Sequence, residues 1–353
     1  MNEFELIARL TRSLPAGKAV VVGPGDDCAV LDFGAPDRLL LFKTDAIVEG
    51  IHFTPGAPPE QVGHKALARC LSDIAAMAGT PSAALVTLAL PRNFDPSYMD
   101  GVYAGMSALA RRHEVAIVGG ETTTNPERLL LSIALLGWAP RGKAVLRSGA
   151  EPGDAIFVTG ELGGSLAGKH LTFEPRLAEA RWLAQHFSLH AMLDVSDGLA
   201  GDLRHLLNAS RVGAELLAAA IPISREARLA AKRPHPEAAS GAPALAGLNA
   251  GHTTAAPPGN AATPEPAKAG APPPAPAPAP KPPLLAALTD GEDFELLFTV
   301  AGRDAVPLLD AWKKAFPRLR LSCIGKIKAG EGITIRDKEG VRPLTAHGYV
   351  HFA

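Results

Sequence analysis

Residues 38–79 read RLLLFKTDAIVEGIHFTPGAPPEQVGHKALARCLSDIAAMAG, and this stretch decides the fold class. Arg38–Lys43 is an apolar run of strand length, and Asp45 follows at its end. Gly50, Pro55, Gly56 and the Pro58-Pro59 pair then break the chain. From Gln61 to Ala78 the apolar residues recur at three and four, the period of a helix with a buried face. The alternation continues outward. Strands are expected at Val115–Val118, Leu129–Leu136, Ala155–Thr159, Ala191–Asp194, Phe294–Val300 and Ser322–Ile324, and helices at Tyr98–Arg112 and Leu199–Asn208. Interleaved strands and helices predict an α/β or α+β chain.

A length of 353 residues exceeds one average core, so two domains are expected. The joint is expected near Gly142–Gly153, giving units 1–145 and 146–353. Lys232–Pro283 stands apart: of its 52 residues 15 are Pro and 16 Ala, a composition with little to bury. It reads as a disordered or polyproline-like insertion in the second unit. With 35 Lys+Arg against 36 Asp+Glu, the chain lacks the basic excess of a nucleic-acid binder. Three cysteines without a CxxC pair exclude a disulfide scaffold and a cysteine-rich zinc site. MNEFELIARL lacks the apolar core of a signal peptide, and the longest apolar stretch, Leu129–Trp138, is about half of the ~20 residues a membrane span needs. A soluble, cytoplasmic protein that binds neither nucleic acid nor membrane is expected.

The informative feature is where the acids fall. Asp26 and Asp27 follow the Gly23-Pro24-Gly25 turn, Asp45 ends one strand, and Glu121 follows VAIVGG. Asp194 ends HAMLD with Asp197 three residues on, and Glu292 and Asp293 follow Gly291 ahead of ELLFTV. Singly, each acid has an ordinary reading as a turn or cap residue, as Asp197 before the Leu199 helix. As a set at strand ends beside glycines they would repel one another unless cations intervene, and Mg²⁺ takes a few carboxylates plus substrate phosphates. Asp73 lies beside the apolar face of its helix, so it either pairs with Arg69 at i−4 or faces the other acids. Gly163–His170 approaches a GxxxxGK loop, but His170 stands where a Ser or Thr would hold Mg²⁺, so a glycine-rich phosphate or packing turn is the better reading. No HExxH, GxSxG or HRD/DFG set occurs, and acids beside Cys28 raise its thiol pKa and make it a poor nucleophile.

The motifs GPGDDCAVL (23–31), KTDAIVEGIHF (43–53), KALARCLSDIAAMAGTP (65–81), GGETTTNP (119–126), LRSGAEPGDAIFVTGELGGS (146–165), DVSDGLAGDL (194–203) and DGEDFELLFTV (290–300), with IG and HGYVHF near the C-terminus, occur in this order. In that order they resemble the thiamine-monophosphate kinase family of the aminoimidazole-ribonucleotide-synthetase-like superfamily. The resemblance spans nearly the whole chain outside the Pro/Ala segment. It implies two α/β domains with mixed sheets and flanking helices, the N-terminal one pairing in a homodimer. It implies direct in-line transfer of the ATP γ-phosphoryl group to thiamine monophosphate, with several Mg²⁺ ions and no acid–base residue. By motif, Asp27, Thr44, Asp45, Asp73, Glu121, Asp194 and Asp197 are the implied metal set. Gly120, Arg147 and Ser196 are implied nucleotide contacts, and His52, Glu292 and Tyr349 implied substrate contacts. The chain departs from the family at Lys43 (usually Ser or Thr), Glu121 (usually Asp) and Asp290 (usually Gly), and the stretch between Gly168 and Asp194 is shorter than usual. The rival readings are another ATP-using enzyme of this superfamily and a silenced nucleotide-binding homologue.

Overall fold

In the computed structural model, which describes residues 3–15, 17–232 and 281–349, the strands form two mixed sheets. Strands β1 (Val20–Val22), β2 (Ala29–Leu31), β3 (Arg38–Val48), β4 (Thr80–Leu90), β5 (Ala116–Thr124) and β6 (Leu130–Pro140) make the first, ordered β1-β2-β3-β6-β4-β5. Strands β7 (Ala155–Thr159), β8 (Leu189–Asp194), β9 (Gly213–Leu217), β10 (Leu296–Val300), β11 (Leu321–Lys328), β12 (Ile333–Asp337) and β13 (Gly340–Pro343) make the second, ordered β13-β12-β9-β11-β7-β10-β8. The β4–β5 and β9–β12 pairs are parallel and the others antiparallel. The helices are α1 (Glu3–Thr11), α2 (Pro59–Ala76), α3 (Pro96–Arg112), α4 (Lys169–Thr172), α5 (Leu177–His186), α6 (Leu199–Ser210), α7 (Arg225–Ala230), α8 (Pro283–Thr289) and α9 (Ala305–Ala315). This is the expected α/β chain of mixed sheets and flanking helices.

Helix α2 is the keystone. Thirteen of its residues are buried, and it packs against β3 and β6 of the first sheet and against β8, α4 and α5 of the second half. Its crossing with α3 is backbone to backbone. A Cβ added at Gly63 would lie 1.8 Å from the Val102 carbonyl oxygen, and one at Gly105 would lie 1.9 Å from that of Glu60. Only glycine fits at such an approach. The second sheet is covered on both faces. Phe157 and Phe298 stack at 5.5 Å in the core shared with Trp312 and α2, while Ile156, Val158 and Leu297 pack with Leu199, Leu203 and Leu206 of α6. The unbroken apolar run of β7, buried at every residue, follows from that double covering.

Among the described residues the first sheet is covered on one face only. Along β3 the residues Leu39, Leu41 and Ile47 are buried, whereas Phe42 is exposed. Phe42 pairs with Leu136, and both are exposed on the outer face with Leu85.

Several expected boundaries are corrected. Strand β3 runs through Asp45 to Val48, because Lys43 and Asp45 alternate onto the inner face and pair with β6 without interrupting the ladder. Strand β5 runs through Gly119, Gly120 and Glu121, so Glu121 lies within the strand. Strand β10 begins at Leu296, since Glu292 and Phe294 have left-handed backbones (φ 65° and 50°) that no strand accommodates. The Lys232–Pro283 segment falls mostly on 233–280, outside the described residues. Its last residues belong to ordered structure: Pro282 caps α8, Pro283 opens it, and Lys281 Nζ lies 2.7 Å from Asp290 Oδ1. Among the described residues no helix is long and apolar enough to cross a membrane.

Candidate active site

Three acids from three distant parts of the sequence meet at the junction of the two halves. Asp27 precedes β2, Asp73 lies on the last turn of α2, and Asp194 ends β8; each offers an oxygen within 4.8 Å of the others, and all three are buried. Asp73 therefore faces the other acids and does not pair with Arg69. Its partner is Lys43, whose Nζ stands 3.1 Å from Asp73 Oδ1 and 3.8 Å from Asp45 Oδ1 on the inner face of β3. Arg147 Nη2 lies 2.6 Å from Asp27 Oδ1, and Ser72 donates to Asp194 Oδ2 at 2.5 Å. Burial, then the repulsion of neighbouring carboxylates, pushes Asp73 well above the usual range, against the pull of Lys43. The same causes push Asp194 up to about 7, its repulsion coming from Asp27. Burial and the charges of Asp73 and Asp27 raise the Cys28 thiol too, outweighing Lys43.

This cluster fits a divalent ion. Its donors are hard oxygens, its carboxylates exceed its resident cations, and Asp27 Oδ2 is buried with no hydrogen-bond partner among the described residues. Asp27, Asp73 and Asp194 would hold it, with Asp45 beside them.

A cleft of about 570 Å³, including its open mouth, lies next to the cluster. Its walls include His52, Arg69, Ser196, Asp197, Glu292 and Tyr349. Glu292 is fixed from both ends: its amide donates to the Ser196 carbonyl at 2.6 Å, and Lys65 Nζ donates to its Oε2 at 2.6 Å. Lys65 also donates to the His52 carbonyl at 2.5 Å, and His52 Nδ1 accepts from the Val48 amide. Burial lowers the Lys65 ammonium to about 8 against the pull of Glu292, which leaves it charged at neutral pH. Tyr349 reaches the cleft because its amide donates to the Asp197 carbonyl at 2.7 Å, with Gly348 pressed against the same carbonyl. Phe173 stacks behind Phe294 at 4.0 Å. The left-handed backbones of Glu292 and Phe294 hold strain at the cleft wall, and the hydrogen bonds of Glu292 and Phe294 to Ser196 and Val195 maintain it.

Asp27, Asp45, Asp73 and Asp194 are thus brought to one place, and His52, Ser196, Asp197, Glu292 and Tyr349 line the adjoining cleft. Asp197 does not cap α6, which has Gly198 at its N-cap. Thr44 lies on the outer face of β3 with its Oγ1 3.4 Å from Ser132 Oγ, away from the inner-face acids. Glu121 is exposed on β5, and its Oε1 accepts from the Thr122 amide. Gly120 lies beside it, where a Cβ would meet the Val86 carbonyl oxygen at 1.8 Å. Arg147 is committed to Asp27. The near-match to GxxxxGK is a packing turn: the amides of Gly163 and Gly164 donate to Asp293 and Asp290, and Lys169 pairs with the buried Glu295.

Lys65 and Ser72 escaped the reading of the sequence, which gave Arg69 only as a partner for Asp73 and not as part of the cleft wall. The available signal was Lys65, Arg69 and Asp73 at i, i+4 and i+8 of a helix that is otherwise apolar or small-residue over its last three turns.

Residues 25–139 match the family model for the N-terminal domain of AIR synthase related proteins. A thiamine-monophosphate kinase from Rhodopirellula baltica is 37% identical over 349 residues, covering 97% of this chain and 93% of the relative. The chain belongs to the thiamine-monophosphate kinase family. The family's Escherichia coli K12 member is 32% identical over 380 residues, covering 100% of this chain and 98% of its own. Among solved structures, AaThiL complexed with AMPPCP and TMP matches with a TM-score of 0.71 and 27% identity, over 99% of this chain and 97% of that one. The likeness therefore extends over both sheets.

Proposed function

We propose that the protein transfers the γ-phosphoryl group of ATP to thiamine monophosphate, giving thiamine diphosphate and ADP. The observation that carries this is the junction of two unlike sites on α2: a carboxylate cluster at Asp73, and a cleft with an acid and an aromatic ring at Lys65–Glu292. Glu292 and Tyr349 suit a cationic thiazolium and an aminopyrimidine by charge and stacking. The acceptor phosphate, with a second pKa near ~6, is mostly dianionic at neutral pH, so the chain needs no general base. The obstacle is the approach of two polyanions. Mg²⁺ held by Asp27, Asp73 and Asp194, with Asp45 beside them, supplies the charge neutralisation for that approach. The protein's part is to orient the acceptor through Glu292 and to exclude water with Ile51, Leu166 and Phe294 along the cleft.

Ser196 and Asp197 on the cleft rim, and Gly120 and Arg147 beyond it, are the proposed nucleotide and further metal contacts. Thr44 and Glu121 enter the metal set only through the outer side of the first sheet. That side exposes Phe42, Leu85 and Leu136, and with the edge strand β5 it is the proposed homodimer face, in an N-terminal unit of residues 1–145 followed by a second of 146–353. The test is thiamine diphosphate formation from purified protein, ATP and thiamine monophosphate, with and without Mg²⁺. Magnesium-dependent product is expected. A folded protein that binds ATP and yields none would support a silenced homologue.

A further inference from the structure

We propose that Arg69 grips the phosphate of the acceptor and makes the cleft select a phosphorylated ligand over its unphosphorylated form. The proposal rests on the kinase reading above and adds a residue to it.

Arg69 lies midway between the two halves of the site. On α2 it is four residues from Lys65, which holds Glu292 at the ring end of the cleft, and four from Asp73 in the carboxylate cluster. At 1.5 Å per residue each step is about 6 Å along the helix axis. An elongated ligand with its cationic rings at Glu292 and its phosphate toward the acids would set that phosphate beside Arg69, which itself lines the cleft.

The guanidinium is uncommitted. Among the described residues it makes no hydrogen bond or ion pair, and its Nε and Nη1 are buried without a partner. Arg147, by contrast, is paired with Asp27, Arg176 with Glu295, and Arg336 with Glu215. An unpartnered buried charge is destabilising unless something compensates it. Burial opposes the charged form of Arg69, and the fields of Asp45, Glu292 and Asp73 more than restore it. The charge is thus sustained at a distance, with the donors left for a ligand. The rigid fork of a guanidinium matches a phosphate bidentately. It would repel the thiazolium, so its place beside a cleft for a cationic ring is favourable only when that ring carries an anion.

The test compares the full-length protein with Arg69→Met and Arg69→Lys, by calorimetric titration with thiamine monophosphate, thiamine and a non-hydrolysable ATP analogue, each with Mg²⁺. Arg69→Met is expected to weaken thiamine monophosphate on the order of 10- to 100-fold, the worth of charge-assisted hydrogen bonds, to leave the ATP analogue within about twofold, and to leave thiamine bound as well as or better than in the parent. Arg69→Lys should recover part of the loss. Retained analogue binding shows that the variants fold. The proposal is overturned if thiamine monophosphate binds both variants as it binds the parent, if thiamine weakens equally, or if the ATP analogue is the ligand that weakens. A parent protein that binds the analogue but not thiamine monophosphate would overturn the kinase reading itself, and Arg69's role with it.

Discussion

Replacing Lys43 by methionine isolates the effect of the cation lodged among the acids. Lys43 Nζ stands 3.1 Å from Asp73 Oδ1, with side-chain exposures of 23% and 9%, so the pair is largely buried. Breaking a fully buried pair costs about 3–5 kcal/mol, and the residual exposure of Lys43 and the ability of Asp73 to take up a proton bring the expected loss to about 2–3 kcal/mol. The pH dependence has a definite sign. Asp73 is held above its ordinary value in the folded protein, so folding binds a proton that the unfolded chain releases above about pH 4. Stability contributed by that proton is present at low pH and declines as pH rises toward the folded-state value. Loss of Lys43 pushes that value further up, so the penalty of the variant should be small near pH 4 and largest at pH 8. Mg²⁺ supplies the missing charge and should stabilise the variant more than the parent. The assay is thermal unfolding at pH 5 and pH 8, with EDTA or with Mg²⁺. A variant that melts with the parent at pH 8 in EDTA, or an equal Mg²⁺ increment in both proteins, would refute the electrostatic coupling of Lys43 to Asp73.

Asp45→Asn should lower turnover by more than tenfold. An activity within about threefold, under ~1 kcal/mol of barrier, would show that Asp45 takes no part in holding the metal. The Glu295 carboxyl is pulled up by burial and down more strongly by Arg176 and Lys169, settling at about 2. Its contribution is present above the unfolded value of 4.5 and is lost as pH falls through about 2, at most ~3 kcal/mol. Glu295→Gln should therefore flatten the acid limb of a stability–pH profile. Gly120→Ala would drive a Cβ against the Val86 carbonyl and displace β5. A loss of nucleotide affinity with the far-ultraviolet spectrum intact is expected, and unchanged ATP binding would place the nucleotide elsewhere. Replacing residues 233–280 by a short Gly/Ser linker should leave activity and melting temperature unchanged, and a protein that fails to fold would show that the segment is structural.

The fold was legible where burial is one-sided or complete. The period of three and four placed α2, α3 and α6 within about two residues of their ends, and the continuous apolar run of β7 was found at its full extent. Strand β4 went unread although it is central to the first sheet, because TPSAALVTLAL begins with a proline and is rich in alanine, a weak strand former that is tolerated here between β5 and β6. Strand ends were misplaced at polar residues within ladders, since Lys43, Asp45 and Glu121 lie inside strands at positions where the local pattern predicts an end. Strand β6 pairs with Lys43 and Asp45 and strand β4 with Glu121, and no window of single-strand sequence contains that information.

The site was legible as a set of acids but not as an arrangement of charges. Acids next to glycine at strand ends can be found one by one, and their mutual repulsion argues for a cation without any structure. Which cation answers which acid depends on faces. Thr44 and Asp45 are neighbours in sequence and project to opposite sides of β3, so one motif serves two surfaces. Lys43 and Arg147 are the chain's own cations in the cluster, and each neutralises a carboxylate that the sequence alone assigns to metal. Four carboxylates, at Asp27, Asp45, Asp73 and Asp194, face two tethered cations, and the remaining negative charge is the part that an added ion must balance. The chain's Lys43 therefore reduces the demand for divalent ions on the Asp73 side, while Arg69 keeps a positive charge unspent at the point where the acceptor's phosphate arrives. Helix α2 sets the spacing of both effects, because Lys65, Arg69 and Asp73 rise along it one turn apart from the ring end of the cleft to the acids.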